Sequence, residues 1–154
     1  YDFEGYWKDV GTIESLWEAN MDLLTLPMPI DLYDAKWRIY GRNPGLAPHF
    51  IAEGASVRNS LITEGCEVYG HVDHSVIFSG VTIREGATVK DSVVMPGAVI
   101  ERGAQVQRAI VSEDAVIGAG ATVGEATGNI AVVGTGVHLA AGGEVKAGEQ
   151  YAGS

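Results

Sequence analysis

Gly86-Ala87-Thr88-Val89, Gly97-Ala98-Val99-Ile100, Gly103-Ala104-Gln105-Val106, Asp114-Ala115-Val116-Ile117 and Gly120-Ala121-Thr122-Val123 are five copies of one phrase: small, small, variable, aliphatic. Gly54-Ala55-Ser56-Val57 and Gly65-Cys66-Glu67-Val68 repeat it upstream, and weaker copies end at Ile83, Leu139 and Val145. From Ile83 through Val89, Val94, Ile100, Val106, Val111 and Ile117 to Val123, the aliphatic anchors step by 6, 5, 6, 6, 5, 6 and 6. Three steps make 17 residues. Ile77, Val94 and Val111 therefore share one column, Ile83, Ile100 and Ile117 a second, and Val89, Val106 and Val123 a third. Repeats of this kind bury their apolar faces only by stacking on one another.

The spacing describes a triangular coil with one short strand per side and a tight turn at each corner. Side chains alternate along a strand, so the aliphatic residue and the small residue two before it face inward. The residue between them faces out, and Ser56, Glu67, Thr88, Gln105 and Thr122 are polar there. A glycine three before the anchor permits the backbone of a corner. Five to six coils fit between Ile51 and Val145. One is short, with 15 residues from Ile62 to Ile77; another spans 22 from Val111 to Val133 and should push a loop outward near residues 124–129. The expected fold is mainly β, a parallel β-helix. The ladder resembles hexapeptide-repeat proteins, and that resemblance makes the helix left-handed.

Residues before the repeat have a different character. All three Trp and four of the five Pro precede residue 51, whereas 17 of the 18 Val and 17 of the 21 Gly follow it. Thr12 can cap a helix, about residues 12–24, whose apolar face is Ile13, Leu16, Trp17, Met21 and Leu24. Pro27 and Pro29 stop it. This divides the chain into a first unit at 1–26, a linker at 27–50, the β-helix at 51–148 and a tail at 149–154. The chain opens at Tyr1 rather than Met, which suggests a fragment.

Composition narrows the partners. There are 154 residues, 20 acidic against 10 basic, for a formal charge of −10. That balance disfavours a nucleic-acid partner. No apolar run is long enough to span a membrane, and no basic start followed by an apolar run reads as a signal peptide. A single cysteine excludes a disulfide framework and fits the cytoplasm. Cys66 occupies an inward small slot and reads as core. His71, His74 and His138 are candidate general bases for an acyltransferase, the alternative function for a hexapeptide solenoid; each reads more simply as a surface residue, and no third His falls at the 17-residue spacing that a shared metal would need. Arg58, Arg84, Lys90, Arg102 and Arg108 are scattered singly and read as a solvated face.

The opening segment is more specific. Gly5-Tyr6-Trp7-Lys8-Asp9-Val10-Gly11-Thr12 runs into Ile13-Glu14-Ser15-Leu16-Trp17-Glu18-Ala19-Asn20-Met21-Asp22, followed by Leu32-Tyr33-Asp34 and Trp37-Arg38-Ile39-Tyr40. Together with Asn59-Ser60-Leu61-Ile62 and Asp91-Ser92-Val93-Val94-Met95-Pro96-Gly97-Ala98, this resembles the C-terminal part of the bacterial ADP-glucose pyrophosphorylase (glucose-1-phosphate adenylyltransferase) family. The resemblance implies magnesium-dependent transfer of adenylyl from ATP to glucose 1-phosphate, releasing pyrophosphate, in glycogen synthesis. It makes Asp9 a metal-binding catalytic carboxylate and Trp7 a wall of the glucose 1-phosphate pocket. It places an anionic effector near Arg42 and Arg38, and implies a homotetramer or a heterotetramer with a non-catalytic paralogue. It also implies that the β-helix packs on its own catalytic domain and serves oligomerisation and regulation. The family's Gly-rich nucleotide signature is not found in these 154 residues, so the isolated chain is expected to be inactive and to need no cofactor. On its own, Trp7 should pack on the helix and Asp9 should be a solvated acid.

Overall fold

A computed structural model describes residues 5–37, 41 and 45–153. Among them lie one helix, α1 (Ile13–Asp22), and eighteen strands of two or three residues. The strands stack into three six-stranded sheets, each wholly parallel, which form the sides of a prism six coils tall. The first sheet stacks Phe50–Ile51, Glu67–Val68, Thr82–Ile83, Val99–Ile100, Val116–Ile117 and His138–Leu139. The second stacks Ser56–Arg58, His71–Asp73, Thr88–Lys90, Gln105–Gln107, Thr122–Val123 and Glu144–Val145. The third stacks Leu61–Ile62, Val76–Ile77, Val93–Val94, Ala109–Val111, Ala131–Val133 and Gln150–Tyr151.

Register follows the repeat. Ile83, Ile100 and Ile117 are paired in sequence, as are Val89, Val106 and Val123, and Ile77, Val94 and Val111. The short coil pairs Ile62 with Ile77, and the long one pairs Val111 with Val133 while residues 125–129 stand exposed outside the prism. Changes in coil length are thus absorbed at corners, and the inward columns stay aligned. The core is those columns plus the small residues beside them: Cys66, Ala87, Ala98, Ala104, Ala115 and Ala121 are all fully buried. Corner glycines such as Gly86 and Gly103 take a left-handed backbone, and Asp114 adopts it in the copy that lacks glycine.

Two parts of the fold differ from the sequence reading. The last strand, Gln150–Tyr151, lies within the segment read as a tail. More important, the outward position is polar on the second sheet but apolar on the first five strands of the third: Leu61, Val76, Val93, Ile110 and Val132 face away from the prism axis, and only Gln150 on the last strand is polar there. Helix α1 covers them. Met21 and Leu24 are buried against Val76, Val93, Ile110 and Ile130, with Ile13, Leu16 and Trp17 beside them. Five strands of one sheet are therefore apolar on both faces, and the described residues form a second, smaller core.

The corner between the second and third sheets differs from the other two. It is built on non-glycine residues in the left-handed region, Asn59, His74, Asp91 and Arg108. The inward small slot after it holds Ser60, Ser75 and Ser92. The Ser60 hydroxyl accepts from the Ser75 backbone N–H at 3.0 Å, and Ser75 and Ser92 accept likewise from Ser92 and Ala109 at 3.1 Å. Ser75 and Ser92 also donate to the carbonyls of Asp73 and Lys90. Both hydroxyls lie within buried residues, so each would be costly if unpartnered; here each both donates and accepts.

Candidate functional site

Helix α1 starts where the sequence provides a cap. The Thr12 hydroxyl accepts from the Ser15 N–H at 3.1 Å, and the Ser15 hydroxyl accepts in return from the Thr12 N–H at 3.0 Å. Two of the N–H donors that the helix start leaves unpaired are thereby satisfied. Just upstream, the Asp9 carboxylate accepts from the Gly11 N–H at 3.1 Å, fixing the turn that brings the preceding segment alongside the helix.

That segment is laid against α1 by two side chains. Lys8 Nζ contacts Asp22 Oδ2 at 2.9 Å and Glu18 Oε2 at 3.2 Å. Tyr6 donates its hydroxyl proton to the same Asp22 oxygen at 2.8 Å. The Lys8 and Tyr6 hydrogen bonds hold the Asp22 carboxyl below the usual carboxylate range. The bond to Asp22 raises Lys8, and partial burial, helped by Asp22, raises Tyr6. Trp7 does not pack on the helix as expected: it is 77% exposed, since it lies between the two residues that do turn inward. Asp9 is exposed as well. Trp7 and Asp9 are thus both exposed, two residues apart on the segment laid along α1. Arg38 and Arg42 lie outside the described residues.

The helix is pegged to the solenoid by Trp17. Its indole N–H donates to the Asp91 carbonyl at 2.8 Å, and the Arg108 guanidinium lies 4.7 Å from the ring centroid. Arg108 also donates to the Gly128 carbonyl in the inserted loop at 2.8 Å. His74 Nδ1, one coil away, donates to the Asp91 carboxylate at 2.7 Å. Arg108 is therefore not a solvated surface charge; it ties helix, corner and inserted loop together. Arg58 and Arg102 are paired instead with Asp73 and Glu85.

The histidines do not converge. His71 hydrogen-bonds Ser56 at 2.8 Å on the outer surface of the second sheet, His74 belongs to the corner, and His138 lies exposed on the first sheet. Among the described residues no group of three His, Cys, Asp or Glu could hold a metal ion. Cys66 is buried, its thiol donating to the Phe78 carbonyl, and burial pushes that thiol up. No helix among the described residues is long and apolar enough to cross a membrane.

Three parallel sheets, a hexapeptide ladder and an inward column of Val and Ile on each side define a hexapeptide-repeat β-solenoid, here with a capped helix docked on one side. The chain belongs to the GlmU-like, C-terminal hexapeptide family, whose match spans residues 49–145. It is also similar to the glucose-1-phosphate adenylyltransferases of Bacillus mycoides (strain KBAB4), Bacillus cereus (strain ATCC 10987 / NRS 248) and Bacillus anthracis. Each is 59% identical over 91 residues, which are 59% of this chain and 24% of the relative. The matched region is thus about a quarter of the length of these relatives.

Proposed function

We propose that this chain is the C-terminal part of a glucose-1-phosphate adenylyltransferase, in which the solenoid serves assembly and regulation while the segment before α1 completes the sugar-phosphate site. The observation that carries this reading is the 59% identity over 91 residues to enzymes of that name. The outward presentation of Trp7 beside Asp9 supports it, because an indole face suits the apolar side of a sugar ring and a carboxylate suits a hard cation. Magnesium needs further oxygen ligands, which the rest of the protein would supply. The exposed Trp7, Tyr33 and Trp37, with Leu26 exposed between them in sequence, support packing of this region on a catalytic domain. Cytoplasmic location, assembly as a homotetramer or with a paralogue, and an anionic effector at Arg42 and Arg38 belong to the same proposal.

The test is pyrophosphate release from ATP and glucose 1-phosphate by the whole protein that carries this segment. The whole protein should turn over and the 154-residue chain should not. Trp7→Ala should raise the KM for glucose 1-phosphate about tenfold or more, with little change for ATP. Asp9→Asn should lower kcat by about a hundredfold or more. Sulfate should bind the whole protein less tightly after Arg42→Ala; unchanged affinity removes the effector role. A whole protein without transfer activity overturns the reading.

A further inference from the structure

Between Gly5 and Asp9 the chain alternates sides: Gly5, Trp7 and Asp9 are exposed, while Tyr6 and Lys8 are partly covered. The covered pair meets a single oxygen of Asp22. Asp22 is the last residue of α1, where unsatisfied carbonyls make a carboxylate unfavourable. Helix formation alone gives no reason for an acid at that position. The reason lies in what arrives there, an ammonium and a phenol from the segment that carries Trp7 and Asp9. Lys8 in turn faces two carboxylates, Glu18 and Asp22, and is two-thirds or more shielded from solvent, with 24% of its side chain exposed. Its charge is directed into the helix and away from the side on which Trp7 stands.

We propose that Asp22 is a positioning residue: through Tyr6 and Lys8 it holds residues 5–10 against α1, so that Trp7 and Asp9 face the sugar phosphate together. Lys8 belongs to that anchor and is not a phosphate ligand. The purpose assigned to the anchor rests on the adenylyltransferase reading; the anchor itself rests on the geometry. Small displacements of positioned groups are costly to rate, so loss of the anchor acts on Trp7 and Asp9 without touching them.

The test compares Asp22→Asn, Lys8→Met, their combination and Lys8→Arg in the whole protein, by kinetics with ATP and glucose 1-phosphate and by amide hydrogen exchange. Asp22→Asn and Lys8→Met should each lower kcat/KM for the sugar phosphate about 10- to 100-fold. The double variant should be no worse than the poorer single, because both break one unit, and Lys8→Arg should restore most of the loss. Exchange should quicken in residues 5–12 and stay unchanged in the solenoid. Unaltered exchange at residues 5–12 in Asp22→Asn overturns the anchor. A raised sugar-phosphate KM in Lys8→Met with Asp22→Asn unaffected makes Lys8 a ligand and overturns its assigned role. An inactive wild-type whole protein overturns the adenylyltransferase reading and the purpose of the anchor, and the exchange result still decides whether Asp22 holds the segment.

Discussion

Asp22 accepts from Tyr6 and Lys8 through one oxygen, with Glu18 the other carboxylate facing Lys8, and this cluster sets how the segment carrying Trp7 responds to pH. The depressed Asp22 carboxyl stabilises the folded arrangement above the ordinary carboxylate value, near about 4, and that contribution is lost as pH falls through its folded value. Lys8 and Tyr6 are raised, so their contributions are complete below their ordinary values, near about 10, and are lost as pH climbs through the folded ones. Amide exchange in residues 5–12, corrected for the intrinsic rate, should therefore stay slow between about pH 4 and 10 and quicken on both sides; a monotonic profile contradicts this. The start of α1 was legible. The Trp7 and Asp9 positions stood out by resemblance, and Thr12 by its capping chemistry. The anchor was not legible, because a Tyr, a Lys and an Asp separated by 16 and 14 residues acquire meaning only once the segment doubles back on α1. Arg108 was misread for the same reason: isolated in sequence, it meets Trp17 through the fold.

At the scale of elements, the inserted loop shows how a coil tolerates extra length. Gly124 begins the excursion with φ at +77°, and a Cβ there would run into the Gln107 carbonyl of the coil below. Gly124→Ala therefore meets both an unfavourable backbone and a blocked neighbour. It should destabilise the protein by about 1–3 kcal/mol, measured by urea unfolding; Gly120→Ala, where the same φ region opens on empty space, should cost less. The third sheet was only half legible. Its doubled aliphatics, Val76-Ile77, Val93-Val94 and Ile110-Val111, were present in the ladder, yet alternation alone assigns one of each pair to solvent. A covering helix resolves that conflict, and the apolar stripe of α1 was its visible counterpart. The corner at Asn59, His74, Asp91 and Arg108 gave no such sign, because none of these is a glycine.

Over the whole molecule the ladder decided the architecture, since a 17-residue period with inward Val and Ile leaves few alternatives to a stacked coil. Even the 15- and 22-residue coils were located from anchor spacing, and both keep register. Each coil touches only its neighbours, so a cavity in a central coil weakens two interfaces. Ile100 is fully buried between Ile83 and Ile117. Ile100→Ala should cost about 2–5 kcal/mol by urea unfolding, with an unchanged dependence on denaturant if the transition stays cooperative.

The Trp17 peg also has a mechanical consequence. Along the covalent chain, tension on the segment ahead of α1 would travel through residues 23–49 and arrive at the end of the prism, at the first strand. The indole bond to Asp91 and the stacked Arg108 offer a shorter route, which delivers that load to the third and fourth coils, near mid-height. The Trp7–Asp9 segment is therefore tied to the middle of the column as well as to its end, and the same strut links the middle coils back to that segment.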